Sequence, residues 1–169
     1  LSGGMRQRVL IAMAIVLRPK LVIADEPTTA LDVTIQAQLI GVFKRLKAEH
    51  RMTMLLISHD LGVVMQLADR IAVMYAGHIV EEAPAEVLLA SPRHPYTRGL
   101  LRSIPGRNGA GQLPAGIPGS VPDPVELPSG CPFHPRCPRA LDICNETMPA
   151  VTQGQEAVRV ACHNPEPES

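Results

Sequence analysis

Acidic side chains and a histidine directly follow two apolar runs of this chain. Asp25-Glu26 comes after residues 21–24, and Ser58-His59-Asp60 comes after residues 54–57. Ligands of open parallel sheets bind beyond the carboxyl ends of the strands, so these residues are the first candidates for a site. An aspartate there can bind magnesium, a glutamate can deprotonate an attacking water, and a histidine can reach a phosphoryl oxygen. By itself, the acidic pair is as often a helix cap or a surface pair as a catalytic site. By itself, His59 is more often a structural histidine.

A second candidate for phosphate chemistry lies at the start of the chain. Ser2, Gly3 and Gly4 precede an apolar helical pattern. A serine hydroxyl, unobstructed glycine amides and a helix N-terminus together favour an anion, and phosphate is the natural ligand. A glycine pair before a helix is weak evidence by itself, because a simple turn has the same composition.

Alternating helices and strands must position these residues. Residues 5–17 are apolar nearly all round and end before Arg18-Pro19, which predicts a buried helix stopped by proline. Residues 21–24 and 54–57 predict buried strands. Continuous apolar strands separated by helices are typical of a parallel sheet covered on both faces, so the fold class is α/β.

Further elements are predicted around and after these strands. One stripe of an amphipathic helix is formed by five apolar side chains, Ile35, Leu39, Val42, Phe43 and Leu46. Asp32 and Thr34 are its candidate caps. Residues 70–75 and 78–82 predict a hairpin around a glycine-containing turn, and residues 84–90 a short helix.

The two halves of the chain differ in composition. Residues 1–90 hold 3 of the 17 prolines and no cysteine, whereas residues 91–169 hold the other 14 prolines and all 4 cysteines. This change predicts two segments, 1–90 and 91–169. Within the second, residues 105–128 are rich in proline and glycine and predict an irregular connector.

Length and charge disfavour several classes of protein. The 169 residues are enough for one core with a small appendage. The 16 basic and 16 acidic residues give no net charge, which disfavours a nucleic-acid partner. The longest apolar run, residues 9–17, is shorter than the roughly 20 residues of a membrane-spanning helix. The start shows no secretion leader, and Leu1 instead of methionine predicts a fragment of a longer chain.

Four motifs, taken in order, resemble those of the nucleotide-binding subunit of ABC transporters. They are Leu1-Ser2-Gly3-Gly4-Met5-Arg6-Gln7-Arg8, Leu21-Val22-Ile23-Ala24-Asp25-Glu26-Pro27-Thr28, Ala30-Leu31-Asp32 and Ile57-Ser58-His59-Asp60. In that family they are the signature loop, the Walker B strand with its catalytic glutamate, the D-loop and the switch histidine. Their order and spacing are highly specific, although Met5 stands where many family members have glutamine. The resemblance implies the C-terminal part of a P-loop, RecA-like nucleotide-binding domain.

The resemblance also implies a role for each candidate residue. Ser2-Gly3-Gly4 would contact the γ-phosphate of ATP held by a partner subunit. In its own subunit, Asp25 would bind Mg²⁺, Glu26 would act on the attacking water and His59 would sense the γ-phosphate. Asp32 would lie at the interface of the two ATPase subunits. ATP and Mg²⁺ are thus the implied cofactors.

One motif of that family does not occur in this sequence. There is no Gly-x-x-x-x-Gly-Lys-[Ser/Thr], the Walker A loop whose backbone and lysine hold the β- and γ-phosphates. In the family it lies upstream of the signature loop, together with the Q-loop and the aromatic residue that stacks on adenine. The resemblance therefore implies that this fragment does not hydrolyse ATP by itself.

The second half of the chain indicates which branch of the family the sequence resembles. Ser91-Pro92-Arg93-His94-Pro95-Tyr96-Thr97-Arg98-Gly99-Leu100-Leu101 is similar to the C-terminal extension of oligopeptide and dipeptide importer ATPases. Locally, His94-Pro95-Tyr96-Thr97 predicts a helix entry with a packed tyrosine. The implied function is ATP-driven import of peptides or a related small solute. Dipeptides, longer peptides, glutathione and nickel all remain open.

The implied partners are a second ATPase subunit, the membrane-embedded permease subunits and, indirectly, a solute-binding protein. The implied location is peripheral, on the cytoplasmic face of the membrane. Two alternatives compete with this interpretation: a soluble ABC ATPase of repair or translation, and a metal-binding interaction module. Neutral charge and the second half of the chain disfavour the first of them. The metal-binding module predicts that residues 91–169 fold and bind metal without the first half of the chain.

The four cysteines lie close together in the second half. Cys131, Cys137, Cys144 and Cys162 follow the pattern C-x5-C-x6-C-x17-C. Two disulfides, a zinc ion, an iron–sulfur cluster and unligated thiols are all open on spacing, although zinc sites usually show closely spaced C-x2-4-C pairs. The family resemblance implies a reducing cytoplasm, where disulfides are rare, and favours a [4Fe-4S] cluster. His134 and His163 are candidate substitute ligands, hydrogen-bond partners of the site or simply exposed side chains, and the last two roles are favoured over the first.

Overall fold

The computed structural model describes residues 3–29, 31–50, 52–104, 106 and 116–167. The chain divides into two compact units, Leu1–Ala68 and Asp69–Ser169. This structural division falls before the predicted hairpin, whereas the change of composition lies at residue 90. The hairpin and the short helix after it therefore belong to the same unit as the cysteines.

The first unit alternates helices and strands. Its elements are α1 (Gly3–Ile15), β1 (Leu21–Asp25), α2 (Val33–His50), β2 (Thr53–Ile57) and α3 (Leu61–Leu67). β1 and β2 pair in parallel, with Leu21 opposite Thr53 and Asp25 opposite Ile57. Parallel neighbours need a long crossover connection, which α2 provides. The predicted stripe of α2 faces inward at Leu39 and Phe43, both buried. The α/β prediction is confirmed.

Helix α1 is more exposed than its apolar sequence predicts. Gly4 is buried, but the side chains of Leu10 and Met13 are 57% and 67% exposed. On one side α1 lines a cavity of about 170 Å³ together with β1 and α2. A helix that is apolar all round needs neighbours on every side, and the described residues of this unit supply them on one side only. The predicted burial of residues 5–17 is therefore wrong within this unit.

The two strands show the same one-sided cover. Alternate side chains on one face are about half exposed, namely Leu21, Ile23, Leu55 and Ile57. Residues on the other face, such as Ala24, are buried or half-buried. The prediction of a sheet covered on both faces is wrong for the described part of the unit, because its three helices leave one face open.

The second unit is built on an antiparallel sheet of order β3-β4-β6-β5. Its elements are β3 (Arg70–Tyr75), β4 (His78–Pro84), α4 (Ala85–Ala90), α5 (Pro95–Arg102), a 3₁₀ turn at His134–Arg136, α6 (Ile143–Glu146), β5 (Val151–Gln153), a 3₁₀ turn at Gln155–Ala157 and β6 (Arg159–Ala161). β3 and β4 form the predicted hairpin. Its two turn residues, Ala76 and Gly77, have φ of 47° and 80°, as in the primed turns that match strand twist.

An aromatic cluster forms the core of the second unit. The ring of Tyr75 lies 4.6 Å from that of Tyr96 and 5.2 Å from that of Phe133, measured between centroids and edge to face. Such pairs contribute about 0.5–1.5 kcal/mol each beyond area burial. Tyr96 is the second residue of α5, whose N-cap is the side chain of His94. The predicted helix entry with a packed tyrosine is confirmed.

A buried carboxylate joins the sheet to the start of α5. Glu81 of β4 is 1% exposed, and its two oxygens accept hydrogen bonds from the backbone N–H groups of Arg93 and His94, at 2.7 and 2.9 Å. A helix N-terminus leaves such N–H groups without helical partners, and a carboxylate satisfies them with favourable charge. Burial of the charged side chain is thereby compensated.

The end of the described chain is held by arginines. Glu166 is buried, its carboxylate pairs with Arg98 of α5 and with Arg139, and its backbone N–H donates to the carbonyl of Arg93. The guanidinium of Arg93 in turn donates to the backbone carbonyl of Glu166. The last described residues are therefore anchored to the start of α5.

The segment before the first cysteine is irregular. Residues 116–128 form no helix or strand, which confirms the predicted connector there, while residues 105 and 107–115 lie outside the described residues. Arg136 holds the segment by donating to the carbonyls of Ile117 and Pro118. The connector is thus attached to the cysteine-bearing part of the unit.

Candidate functional site

The carboxyl ends of β1 and β2 bring the predicted residues together. The backbone N–H of Glu26 donates to the carbonyl of Ile57 at 2.9 Å, which extends the ladder one residue beyond β1. Asp25 and Glu26 therefore lie beside Ser58 and His59. This juxtaposition follows from two apolar runs of equal length paired in parallel without a register shift.

Three donors hold the carboxylate of Glu26. Its Oε1 lies 3.1 Å from the backbone nitrogen and 2.8 Å from Nδ1 of His59. Its Oε2 accepts a hydrogen bond from the hydroxyl of Thr29 at 2.6 Å. Sequence reasoning placed Glu26 and His59 at the site but missed Thr29. The available signal was a hydroxyl three residues after the acid, in a segment rich in turn residues.

The pair Glu26 and His59 shifts both pKa values toward the charged forms. The hydrogen bond from Thr29, followed by that from His59, lowers the pKa of Glu26. The hydrogen bond to Glu26 and then its charge raise the pKa of His59. The pair is therefore ionised on both sides from the lowered pKa of the acid up to the raised pKa of the imidazole. Its contribution to stability is small, because His59 is 78% exposed.

His59 is positioned by the start of α3. Its neighbour Asp60 is the N-cap of that helix and accepts from the backbone N–H groups of Gly62 and Val63. The other oxygen of Asp60 accepts from the side-chain amide of Gln36 in α2 at 2.8 Å. Gln36 is a second residue that sequence reasoning missed, since a polar position on an amphipathic helix usually faces water.

Asp25 fits the role of a magnesium ligand. Its side chain is exposed at the end of β1, beside Glu26. Mg²⁺ bound with a nucleotide takes one or two protein carboxylates and completes its shell with phosphate oxygens and water. A single exposed aspartate is sufficient for such an ion. Among the described residues there is no group of three or more His, Cys, Asp or Glu side chains placed to hold a metal ion alone.

The predicted phosphate-binding turn is described in part. Gly3 begins α1 and Gly4 is its second residue, as expected, while Ser2 lies outside the described residues. A Cβ at Gly4 would lie 2.7 Å from Cγ2 of Ile35, so glycine permits the close approach of α1 to α2. Asp32 caps α2, because its Oδ1 accepts from the backbone N–H of Ile35 at 2.9 Å. The phosphate and interface roles of these residues stay predictions.

The four cysteines lie in the second unit as free thiols. No disulfide links them, so the disulfide alternative is wrong for this structure. The backbone N–H of Cys131 donates to the carbonyl of Cys144 at 2.8 Å, which places the first and third cysteines side by side. The two neighbouring histidines bond to carbonyls instead: His134 to that of Cys131 and His163 to that of Thr147.

The thiols influence one another electrostatically. Burial is the largest cause of the raised pKa values of Cys131 and Cys137. It also raises the pKa of Cys162 to about 11. Each of these three pKa values is raised further by the charge of other cysteines, and Cys144 acts on all three. The four thiols therefore lie within one electrostatic environment. The raised pKa values favour the protonated thiol at Cys131, Cys137 and Cys162.

Comparison with known proteins decides the family. Residues 80–144 match the oligopeptide/dipeptide transporter, C-terminal region, and residues 1–29 match the ABC transporter family. The chain is 53% identical over 162 residues to the oligopeptide transport ATP-binding protein AppD of Bacillus subtilis. It belongs to the oligopeptide/dipeptide transporter ATP-binding family. Two further relatives are the oligopeptide transport ATP-binding protein OppD of Salmonella typhimurium, at 49% identity, and the dipeptide transport ATP-binding protein DppD of Escherichia coli, at 50%.

The match covers most of this chain but only part of each relative. It takes in 96%, 97% and 98% of the chain, against 49%, 49% and 50% of AppD, OppD and DppD. The chain therefore spans about half the length of these family members. Among solved structures, MJ1267, an ATP-binding cassette of an ABC transporter, aligns with a TM-score of 0.50 at 28% identity, over 59% of this chain and 40% of that one. The fold is thus that of part of an ABC ATPase cassette.

Within the described ranges, no helix is both long and apolar enough to cross a membrane.

Proposed function

We propose that the complete protein is the ATP-binding subunit of an ABC importer and couples ATP binding and hydrolysis to uptake of peptides or a related small solute. The observation that carries this proposal is the pairing of Glu26 with His59 at the carboxyl ends of two parallel strands. The chain that contains this pair is about half identical in sequence to ATP-binding proteins of oligopeptide and dipeptide transport. The relatives' names favour transport over a soluble ATPase.

The proposed chemistry assigns one task to each residue. Glu26 accepts a proton from water as the water oxygen bonds to the γ-phosphorus and the bond to the β-phosphate oxygen of ADP breaks. Bound Mg²⁺ would neutralise phosphate charge, with Asp25 holding it. His59, beside Glu26, would contact the γ-phosphate. Ser2-Gly3-Gly4 acts on the nucleotide of a second subunit, with Asp32 at the interface.

The proposed partners follow from this arrangement. The complete protein pairs with a second ATPase subunit and docks on permease subunits at the cytoplasmic face of the membrane, where a solute-binding protein delivers substrate from the other side. The domain organisation that we propose for this part is 1–90 as the end of the ATPase domain and 91–169 as the transporter-type extension. Walker A, which this sequence lacks, belongs to the half of the relatives that it does not span.

Uptake by the assembled transporter tests the proposal. The complete protein, purified with its permease subunits and placed in liposomes, is expected to accumulate labelled di- or oligopeptide only with ATP and the solute-binding protein. Uptake of nickel or glutathione instead of any peptide would change the substrate class. ATP hydrolysis that proceeds equally well without the permease, with no uptake of any solute, would contradict the role in transport.

We also propose that the four cysteines bind a [4Fe-4S] cluster. The proposal is supported by four free thiols gathered in one unit, two of them buried and two half-buried, which interact with one another. In a cluster each of the four thiolates binds a different iron atom. Among the described residues no group of three or more His, Cys, Asp or Glu side chains is placed to hold a metal ion, so metal analysis must distinguish the cluster from zinc. A bound cation also favours the thiolate form, which burial alone disfavours.

Iron analysis tests the cluster. After anaerobic purification we expect about four iron and four acid-labile sulfide per chain, as four cysteine thiolates would hold. We expect Cys144→Ser to lose most of the iron, because Cys144 is a buried thiol whose backbone carbonyl accepts from Cys131, the first of the four cysteines. His134→Gln and His163→Gln are the matched controls and should keep it, because both rings bond to carbonyls. One zinc per chain, or no metal, would overturn the cluster.

A further inference from the structure

Among the described residues, Thr29 donates to the Glu26 carboxylate but has no task in the proposed chemistry. It donates to Oε2 at 2.6 Å, a charge-assisted contact at the short end of the usual range. His59 supplies both donors to Oε1. The two oxygens of the carboxylate are thus held from opposite sides by different parts of the chain.

Local backbone geometry brings Thr29 to this position. Glu26 has φ of 46°, in the left-handed region, so the chain turns sharply where β1 ends. The backbone N–H of Glu26 is fixed by Ile57, and the backbone N–H of Thr29 donates to the carbonyl of Glu26 at 3.2 Å. This turn is closed by a backbone bond and by a side-chain bond between the same two residues. Glutamate is an unusual residue at a positive φ, and the turn orients its side chain.

The two anchors differ in what they do during the reaction. In the proposed function the ring of His59 turns to the γ-phosphate, which removes one of the two donors at Oε1. The hydroxyl of Thr29 then remains as the side-chain anchor of the carboxylate. An oxygen of a carboxylate has two lone pairs, so Oε2 can accept from Thr29 and still receive a proton from water. Without Thr29, the backbone N–H of His59 would be the one remaining donor of the three, and the exposed glutamate side chain would be held at a single oxygen.

We infer that Thr29 is a positioning residue for Glu26, whose hydroxyl holds the carboxylate in the orientation from which it deprotonates the attacking water. The inference rests on the proposed function of Glu26. Orientation of a catalytic group supplies part of its rate effect, so loss of the anchor lowers turnover and leaves nucleotide binding unchanged.

Turnover of the complete transporter with three variants tests the inference. Thr29→Val removes the hydroxyl at nearly constant volume, Thr29→Ala removes it with less bulk, and Thr29→Ser retains it. We expect kcat for ATP to fall about tenfold or more in the first two, with KM changed less than about twofold, and serine to recover kcat to within about threefold. Thr53→Val, the same chemical change at the far end of β2, is the control and should be unaffected.

A double variant that carries Glu26→Gln and Thr29→Val separates this inference from the proposed function. If Glu26→Gln blocks hydrolysis, adding Thr29→Val should cause no further loss, because the anchored group is already absent. Normal kcat in Thr29→Val, or equal loss in Thr29→Val and Thr29→Ser, would overturn the role of the hydroxyl while leaving that of Glu26 intact. Normal hydrolysis by Glu26→Gln would overturn both.

Discussion

ATP hydrolysis by the complete transporter is expected to fall by about 10²–10³-fold when Glu26 is replaced by glutamine. Glutamine keeps the shape of the side chain but cannot take a proton from water. ATP binding should persist, because the described contacts of the carboxylate are to His59 and Thr29 and its proposed task is to act on the attacking water. Phosphate release measured under saturating ATP, beside equilibrium binding of a labelled nucleotide, separates the two properties.

A matched replacement elsewhere controls for the change of charge. Glu49→Gln removes an exposed carboxylate near the end of α2 and should hydrolyse ATP at the normal rate. In Glu26→Gln the pKa of His59 should also fall back toward its usual 6.5, because the carboxylate is the largest cause of its upward shift. An NMR titration of the His59 ring resonances measures this pKa directly. Full hydrolysis with Glu26→Gln would show that another group activates the water.

Glu81→Ala is expected to destabilise the second unit by about 2–5 kcal/mol, because two buried backbone N–H groups at the start of α5 lose their acceptor and a cavity forms. Both tyrosines of this 169-residue chain lie in that unit and the chain has no tryptophan, so tyrosine fluorescence in a urea titration follows its unfolding. We expect a lower transition midpoint. Glu81→Gln should be intermediate, since its amide presents one oxygen acceptor.

The neighbouring glutamate is a suitable control for this measurement. Glu82 pairs with Arg70 and Arg159 at the surface of the same sheet. Exposed ion pairs are worth about 0–1 kcal/mol, so Glu82→Ala should change the midpoint little. If the two alanine variants were equally stable, the buried carboxylate would not be joining β4 to α5 in the way the contacts indicate.

Much of the first unit could be predicted from apolar runs. The runs before Asp25 and before Ser58 end at the same edge of a parallel pair, and this is sufficient to bring Glu26 next to His59. The contact from Thr29 could not be predicted in the same way. It depends on the left-handed backbone of Glu26, and an apolar pattern carries no information about the φ of the residue that follows a strand.

Burial was harder to predict than the elements themselves. An apolar sequence shows that a helix such as α1 needs neighbours, but not which part of a protein supplies them. Glu81 illustrates the converse case. A glutamate on a hairpin strand reads as a solvated side chain, and only the return of the chain at Arg93 gives it buried partners.

The anchoring of Glu166 has a genetic consequence. The acid lies four residues after Cys162 and close to the end of the sequence, yet three arginines from α5 and from the segments around it contact it. A late nonsense or frameshift mutation that spares every cysteine would still remove this support from α5. Such alleles should behave as folding defects.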